Sequence, residues 1–229
     1  MDFEKYWQDK MAYNLEKELG KSTAEKIMLG SEGINSESNG DEVIFWTQKA
    51  MIKLDELASD LSKQKVMMAC GCHYPATDLL NIKKSIPKSD KIKSAHAVLQ
   101  DRFEKLLDNL GLTKAQKEKV IKLDMGSAGI MKGNEIIATK IPKSEHLLSY
   151  LNEQDPQKRR EMYCHCNRVR DAIAKGIEIS ETYCYCGAGF YQSIWETILE
   201  QPVQVELIES ILKGDEFCKY KITLPTIEG

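Results

Sequence analysis

Residues 184–224 read CYCGAGFYQSIWETILEQPVQVELIESILKGDEFCKYKITL, and this stretch decides the fold class. Over Gly187–Glu200, Phe190, Ile194, Trp195 and Ile198 recur at the helical period, which predicts a helix with one apolar side. Val203-x-Val205-x-Leu207 then alternates, as a strand buried on one face does. Lys213-Gly214-Asp215 makes a turn and Phe217–Leu224 returns, so the unit reads as a β-hairpin. A helix beside antiparallel strands places the region in the α+β class.

Upstream, Ile177–Tyr183 reads as a strand leading into Cys184. Asp155-Pro156 is a helix start, with aspartate as N-cap and proline in the first helical position. That helix runs into Tyr163-Cys164-His165-Cys166, and Arg168–Lys175 continues helically to Gly176. Glu135–Ile141 is a short strand. Before residue 126 the chain reads as helical. Phe3, Tyr6, Trp7, Met11, Leu15 and Leu19 mark one helix ended by Gly20, and Ser22 with Glu25 forms a capping box for a second. The apolar positions from Val43 to Leu61 predict one long amphipathic helix, with Pro75 opening a turn or a new helix beyond it. Residues 95–110 form another helix stopped by Gly111, and Thr113 with Gln116 caps the next. The expected organisation is a mainly helical region, 1–125, packed on an α+β domain, 126–229, with an antiparallel sheet.

The chain has 229 residues, 42% of them hydrophobic and 29% charged, an ordinary globular composition. The net charge of −3 gives no global reason to expect a nucleic-acid partner. Residues 81–122 carry eleven Lys or Arg and five Asp or Glu, which suits either a solvated helical face or an anionic partner. No stretch approaches the roughly 18 apolar residues of a membrane span. The N-terminus, MDFEKYWQDK, lacks the apolar core of a signal peptide, so a cytoplasmic location with reduced thiols is expected. A homo-oligomer is compatible with all of this.

Six of the seven cysteines fall in three Cys-X-Cys pairs, Cys70-Gly-Cys72, Cys164-His-Cys166 and Cys184-Tyr-Cys186. A single buried cysteine is ordinary core filling, and Cys218, alone in the hairpin, reads that way. Three pairs point instead to thiolate chemistry, most simply a metal held from distant segments. Thiolates suit zinc, which takes four ligands in a tetrahedron, and also iron–sulfur clusters. The second and third pairs, Cys164, Cys166, Cys184 and Cys186, are expected at the centre, because a short loop separates them. Cys70 and Cys72 either complete that site or stand apart. In a helix, cysteines two apart lie about 200° apart and cannot easily share one ion, so chelation by Cys164 and Cys166 requires the helix to break. His73 and His165 sit inside the motifs as candidate contacts. Arg168 and Arg170 either lower a thiol pKa, hold an anionic ligand, or serve as plain surface charges.

The run Cys184-x-Cys186-Gly187-x-Gly189-Phe190, then Pro202-Val203-x-Val205, then Gly214-Asp215-x-x-Cys218-x-x-x-Ile222 resembles the end of 4-vinyl reductase type domains. It is also similar to the C-terminal part of the L-2-amino-thiazoline-4-carboxylic acid hydrolase-like family. Both commonly end in Gly-Asp-x-x-Cys-x-Phe or a similar turn and strand, and Tyr220 supplies the aromatic here. The resemblance implies helices and an antiparallel sheet around a small-molecule pocket. It also implies zinc on cysteines for the first type and the opening of a thiazoline ring for the second. The Cys-Gly-Cys-His and Cys-His-Cys elements lie outside the shared tail.

Taken together, these features predict a cysteine-rich, metal-binding protein, zinc before iron–sulfur, with a small-ligand-binding domain. Two alternatives stay open: a metal-dependent hydrolase of a small sulfur heterocycle or amide, and a thiol or iron–sulfur redox sensor.

Overall fold

The C-terminal alternation becomes sheet in the computed structural model, which describes residues 2–226. Strands β1 (Ile130–Lys132), β2 (Glu135–Thr139), β3 (Gln204–Glu209) and β4 (Lys219–Thr223) form one antiparallel sheet in the order β1-β2-β4-β3. Ile136 and Val205 flank Ile222, and Ala138 and Leu207 flank Tyr220, so alternate residues make one apolar face. The expected hairpin is present. Its connection holds a short 3-10 turn over Ile211–Lys213, and Gly214 takes the left-handed conformation (φ 107°) that reverses the chain.

Helix α11 (Tyr185–Leu199) lies on β3 and β4 and buries Ile194, Trp195 and Ile198 completely. Its other side meets α4 (Asp60–Ala69) and α5 (Ala76–Ser85). The approach to α4 is backbone on backbone: a Cβ on Gly189 would enter the Met68 carbonyl group. A glycine is the residue that lets the two chains meet there.

The remaining helices are α1 (Phe3–Leu19), α2 (Lys21–Met28), α3 (Gly40–Leu57), α6 (Lys91–Asn109), α7 (Lys114–Lys122), α8 (Ser144–Asn152), α9 (Pro156–Tyr163) and α10 (Asn167–Ala174). The caps at Thr113 with Gln116 and at Asp155 form as the sequence predicts. Three expectations fail for local reasons. The helix predicted to run to Leu61 stops at Leu57, Ala58 is extended, and Ser59 caps a new helix by accepting the Ser62 N–H. Helix α2 already begins at Lys21, so Ser22 lies inside it and forms no cap. Ile177–Tyr183 is not a strand. The Ile177 N–H closes α10 on Ala172, and Ser180 caps a 3-10 turn over Glu181–Cys184.

One hydrophobic core runs from Trp7 to Leu224. The lysine-rich stretch forms α5 to α7, where several cations pair with acids, such as Lys83 with Glu200 at 2.7 Å and Lys105 with Asp101 at 2.6 Å. No helix among the described residues is long and apolar enough to cross a membrane.

Candidate functional site

The three Cys-X-Cys pairs share a spacing and adopt three backbones. Cys70 caps the C-terminus of α4, with its N–H bonded to Val66 and Met67 carbonyls. Gly71 follows against α11, where a Cβ would enter the Cys186 carbonyl and come within 3.2 Å of the Phe190 nitrogen. The first pair is therefore pressed onto the third. Cys164 and Cys166 are both extended (ψ 138° and 125°) and link α9 to α10, so the helix does break there. Cys184 ends a 3-10 turn with helical torsions, and Cys186 lies in the first turn of α11. Helical residues two apart point to opposite sides, so this pair splits its thiols.

A cavity of about 330 Å³ opens between these segments and α1. Cys70, Cys72, Cys166 and Cys186 line it, so every pair delivers at least one thiol to the same space. Cys164 and Cys184 lie behind the wall in the core with Cys218. The Cys184 and Cys218 sulfurs stand 3.6 Å apart. The four thiols of Cys164, Cys166, Cys184 and Cys186 are thus divided between cavity and core. Among the described residues, no three His, Cys, Asp or Glu side chains gather closely enough to hold a metal ion.

The first helix supplies the opposite wall. Glu4 forms an ion pair with the buried Arg168, whose guanidinium lies 4.0 Å from the centre of the Trp7 ring. Trp7 in turn stacks on Tyr183 at 5.9 Å, and the Tyr183 hydroxyl lies 3.4 Å from the Cys166 sulfur. Arg168 is therefore a wall of the cavity. Arg170 instead braces the second pair, donating to the Cys164 carbonyl at 2.7 Å and the His165 carbonyl at 3.1 Å. His165 faces the cavity, while His73 turns outward to the Lys10 ammonium at 2.7 Å.

The electrostatics separate the thiols. Burial pushes Cys70 up to about 12 against the pull of Lys10, and burial pushes Cys186 up to about 12 against the pull of Lys140. Burial likewise holds Cys164 well above the usual thiol range. Cys218 goes the other way, because the Cys184 side chain and the Ile211 N–H stabilise its thiolate. His165 is lowered to about 4 by burial and by the neighbouring Lys140, Lys143 and Arg170 cations, so its imidazole is neutral at physiological pH. For Lys140, burial opposes the ammonium, but the surrounding Cys186, Cys164, Cys72 and Cys218 thiols favour it when ionised and carry the net shift upward.

Soft thiols and a neutral imidazole together fit a borderline-soft metal in chemistry. They also fit a small polar ligand held between aromatic walls. Lys140, Glu4, Trp7 and Tyr183 are site residues the cysteine pattern does not reveal. Lys140 had a local signal: it continues the inward parity of Ile136 and Ala138 beyond β2, an odd place for a lysine.

Residues 152–227 match the model of a family of unknown function (DUF6144). The matched segment includes Cys164, Cys166, Cys184, Cys186 and Cys218, and excludes Cys70 and Cys72. No curated protein and no solved structure matches the chain.

Proposed function

We propose that this protein binds a small ligand in the thiol-lined cavity and holds a soft metal ion there, zinc before iron–sulfur, in a reducing, cytoplasmic setting. The observation that carries the reading is the delivery of a thiol from each Cys-X-Cys pair into one space. Cys166 and Cys186 would be the central ligands, Cys72 and Cys70 would close the set, and His165 would be the nitrogen donor within reach. Metal binding must displace thiol protons, so the raised thiols of Cys70 and Cys186 make uptake stronger as pH rises. Such an ion would polarise a ligand atom or tie the three segments together.

The test is elemental analysis of anaerobically purified protein, followed by cobalt(II) titration of the wild type and of Cys166→Ser/Cys186→Ser. About one equivalent in the wild type, lost in the double variant, supports the reading. A brown protein containing iron and sulfide replaces zinc by a cluster. No metal, with freely titratable thiols, overturns it.

A redox role is the second reading, and the 3.6 Å approach of Cys184 to Cys218 favours it. Hydrogen peroxide would oxidise the two thiols to one disulfide and leave as two molecules of water. A mass loss of two hydrogens mapped to that pair would promote this reading over the first.

A further inference from the structure

Two features of the cavity belong neither to the thiols nor to a metal. The first is Lys140. Of the cavity's cations, Arg168 pairs with Glu4 and Lys143 pairs with Glu145 at 2.9 Å, whereas no ion pair among the described residues includes Lys140. Lys140 lines the cavity as a half-buried residue together with the thiols, which are poor counter-charges while protonated. A charge partly withdrawn from water without a partner is destabilised, so an anion arriving beside it has an advantage.

The second feature is a neighbouring cavity of about 310 Å³ that shares Lys140 and His165 with the first. Its lining is otherwise mostly apolar, from Tyr74, Phe103, Leu106, Ile141, Phe190 and Tyr191. The Tyr191 hydroxyl is already bonded to the Gly126 carbonyl at 3.0 Å, so the ring presents only its apolar body. Arg102, the remaining cation there, is paired with Asp78 at 3.5 Å. Lys140 and His165 thus border both a cationic, thiol-bearing space and an aromatic one.

We propose that the ligand is an amphipathic organic acid, with its anionic head against Lys140, where the two cavities adjoin, and an aromatic or aliphatic arm in the second cavity. The proposal rests on the small-ligand reading of the site and names the ligand's class. A small inorganic anion would meet the charge of Lys140 but leave the apolar space unused. A neutral apolar molecule would fill that space but leave Lys140 without a partner.

Calorimetric titration with acetate, phenylbutyrate, decanoate and the neutral phenylbutyramide tests it on the full chain. Phenylbutyrate is expected to bind roughly a hundredfold tighter than acetate, from the area its arm buries. It should bind about tenfold or more tighter than the amide, from one charge-assisted hydrogen bond. Lys140→Met should abolish the preference for acid over amide, and Lys140→Arg should retain it. Leu106→Trp, on the partly exposed rim, should weaken phenylbutyrate about tenfold and leave acetate unchanged. Equal binding of acid and amide, an unaltered preference in Lys140→Met, or no binding of any acid overturns the proposal. Cobalt uptake by the same preparations separates the two readings. Acid binding lost with uptake intact sinks this proposal alone, and uptake lost with acid binding intact sinks the metal reading alone.

Discussion

Cys164-His-Cys166 and Cys184-Tyr-Cys186 share a spacing and differ in backbone. The first is an extended bridge between two helices, and the second is the start of a helix. Both nevertheless send one thiol to the core and one to the cavity. Spacing therefore does not fix which way cysteines face. At the second bend the neighbours decide: Arg170 clamps the carbonyls of Cys164 and His165, and Tyr183 draws the Cys166 sulfur. At the third, helix geometry alone divides the thiols.

The comparison can be broken most severely through the packing that seats the third pair. Gly189→Ala drives a methyl into the Met68 carbonyl, where neither backbone has a flexible end to yield. We expect a loss of about 3 kcal/mol or more in urea unfolding, with the third pair displaced and the second bend retained. A loss under about 1 kcal/mol would mean that α11 can slide along α4.

Cys184→Ser sharpens it next. The core thiol packs on Cys218 beside the Ser210 side chain, so a serine exchanges a buried apolar contact for a hydroxyl that must be desolvated, and about 1 kcal/mol should be lost with or without chelator. Cys186→Ser should instead melt like the wild type in the metal-free state and differ only when metal is added. A chelator-dependent cost at Cys184 would place that thiol, too, in the metal set.

His165 distinguishes the second bend by pH. Its folded pKa of about 4 lies below the unfolded value near 6.5, so the unfolded chain takes up the proton first. Stability should therefore fall as pH drops from about 6.5 towards 4, by on the order of 1 kcal/mol after solvent screening. His165→Gln should flatten that limb, and an identical acid limb in the variant would refute the assignment.

Labelling should give the smallest signal and leave stability unchanged. In the native protein Cys72 and Cys166 should react with an alkylating reagent, while Cys164, Cys184 and Cys218 should react only on unfolding. Equal rates at Cys164 and Cys166 would show that the bend does not partition its thiols.

Much of the scaffold was legible. The alternation at Val203–Leu207, the cap at Asp155 and the box at Thr113 with Gln116 each depend on neighbours a few residues away, and each holds. The break after Leu57 was hidden because the apolar period continues through it, although Ser59 carried the signal for a new cap. The site was legible only as a set of cysteines. Their division between cavity and core depends on a helix start two residues earlier than periodicity suggested, at Tyr185 rather than Gly187. The wall formed by Glu4 and Trp7 was illegible, because nothing local links α1 to Arg168.

That wall has a consequence during synthesis. Glu4 and Arg168 are 164 positions apart, so the first helix leaves the ribosome long before the arginine it will hold. At about 5–20 residues per second the interval is roughly ten to thirty seconds. Throughout it, Trp7 has no guanidinium to cover it, and Cys70 emerges before α11, the helix its pair will be pressed against, exists. The nascent chain thus passes through a window in which Cys70 is open to oxidation, a window that the finished fold closes for Cys70 and leaves open for Cys72.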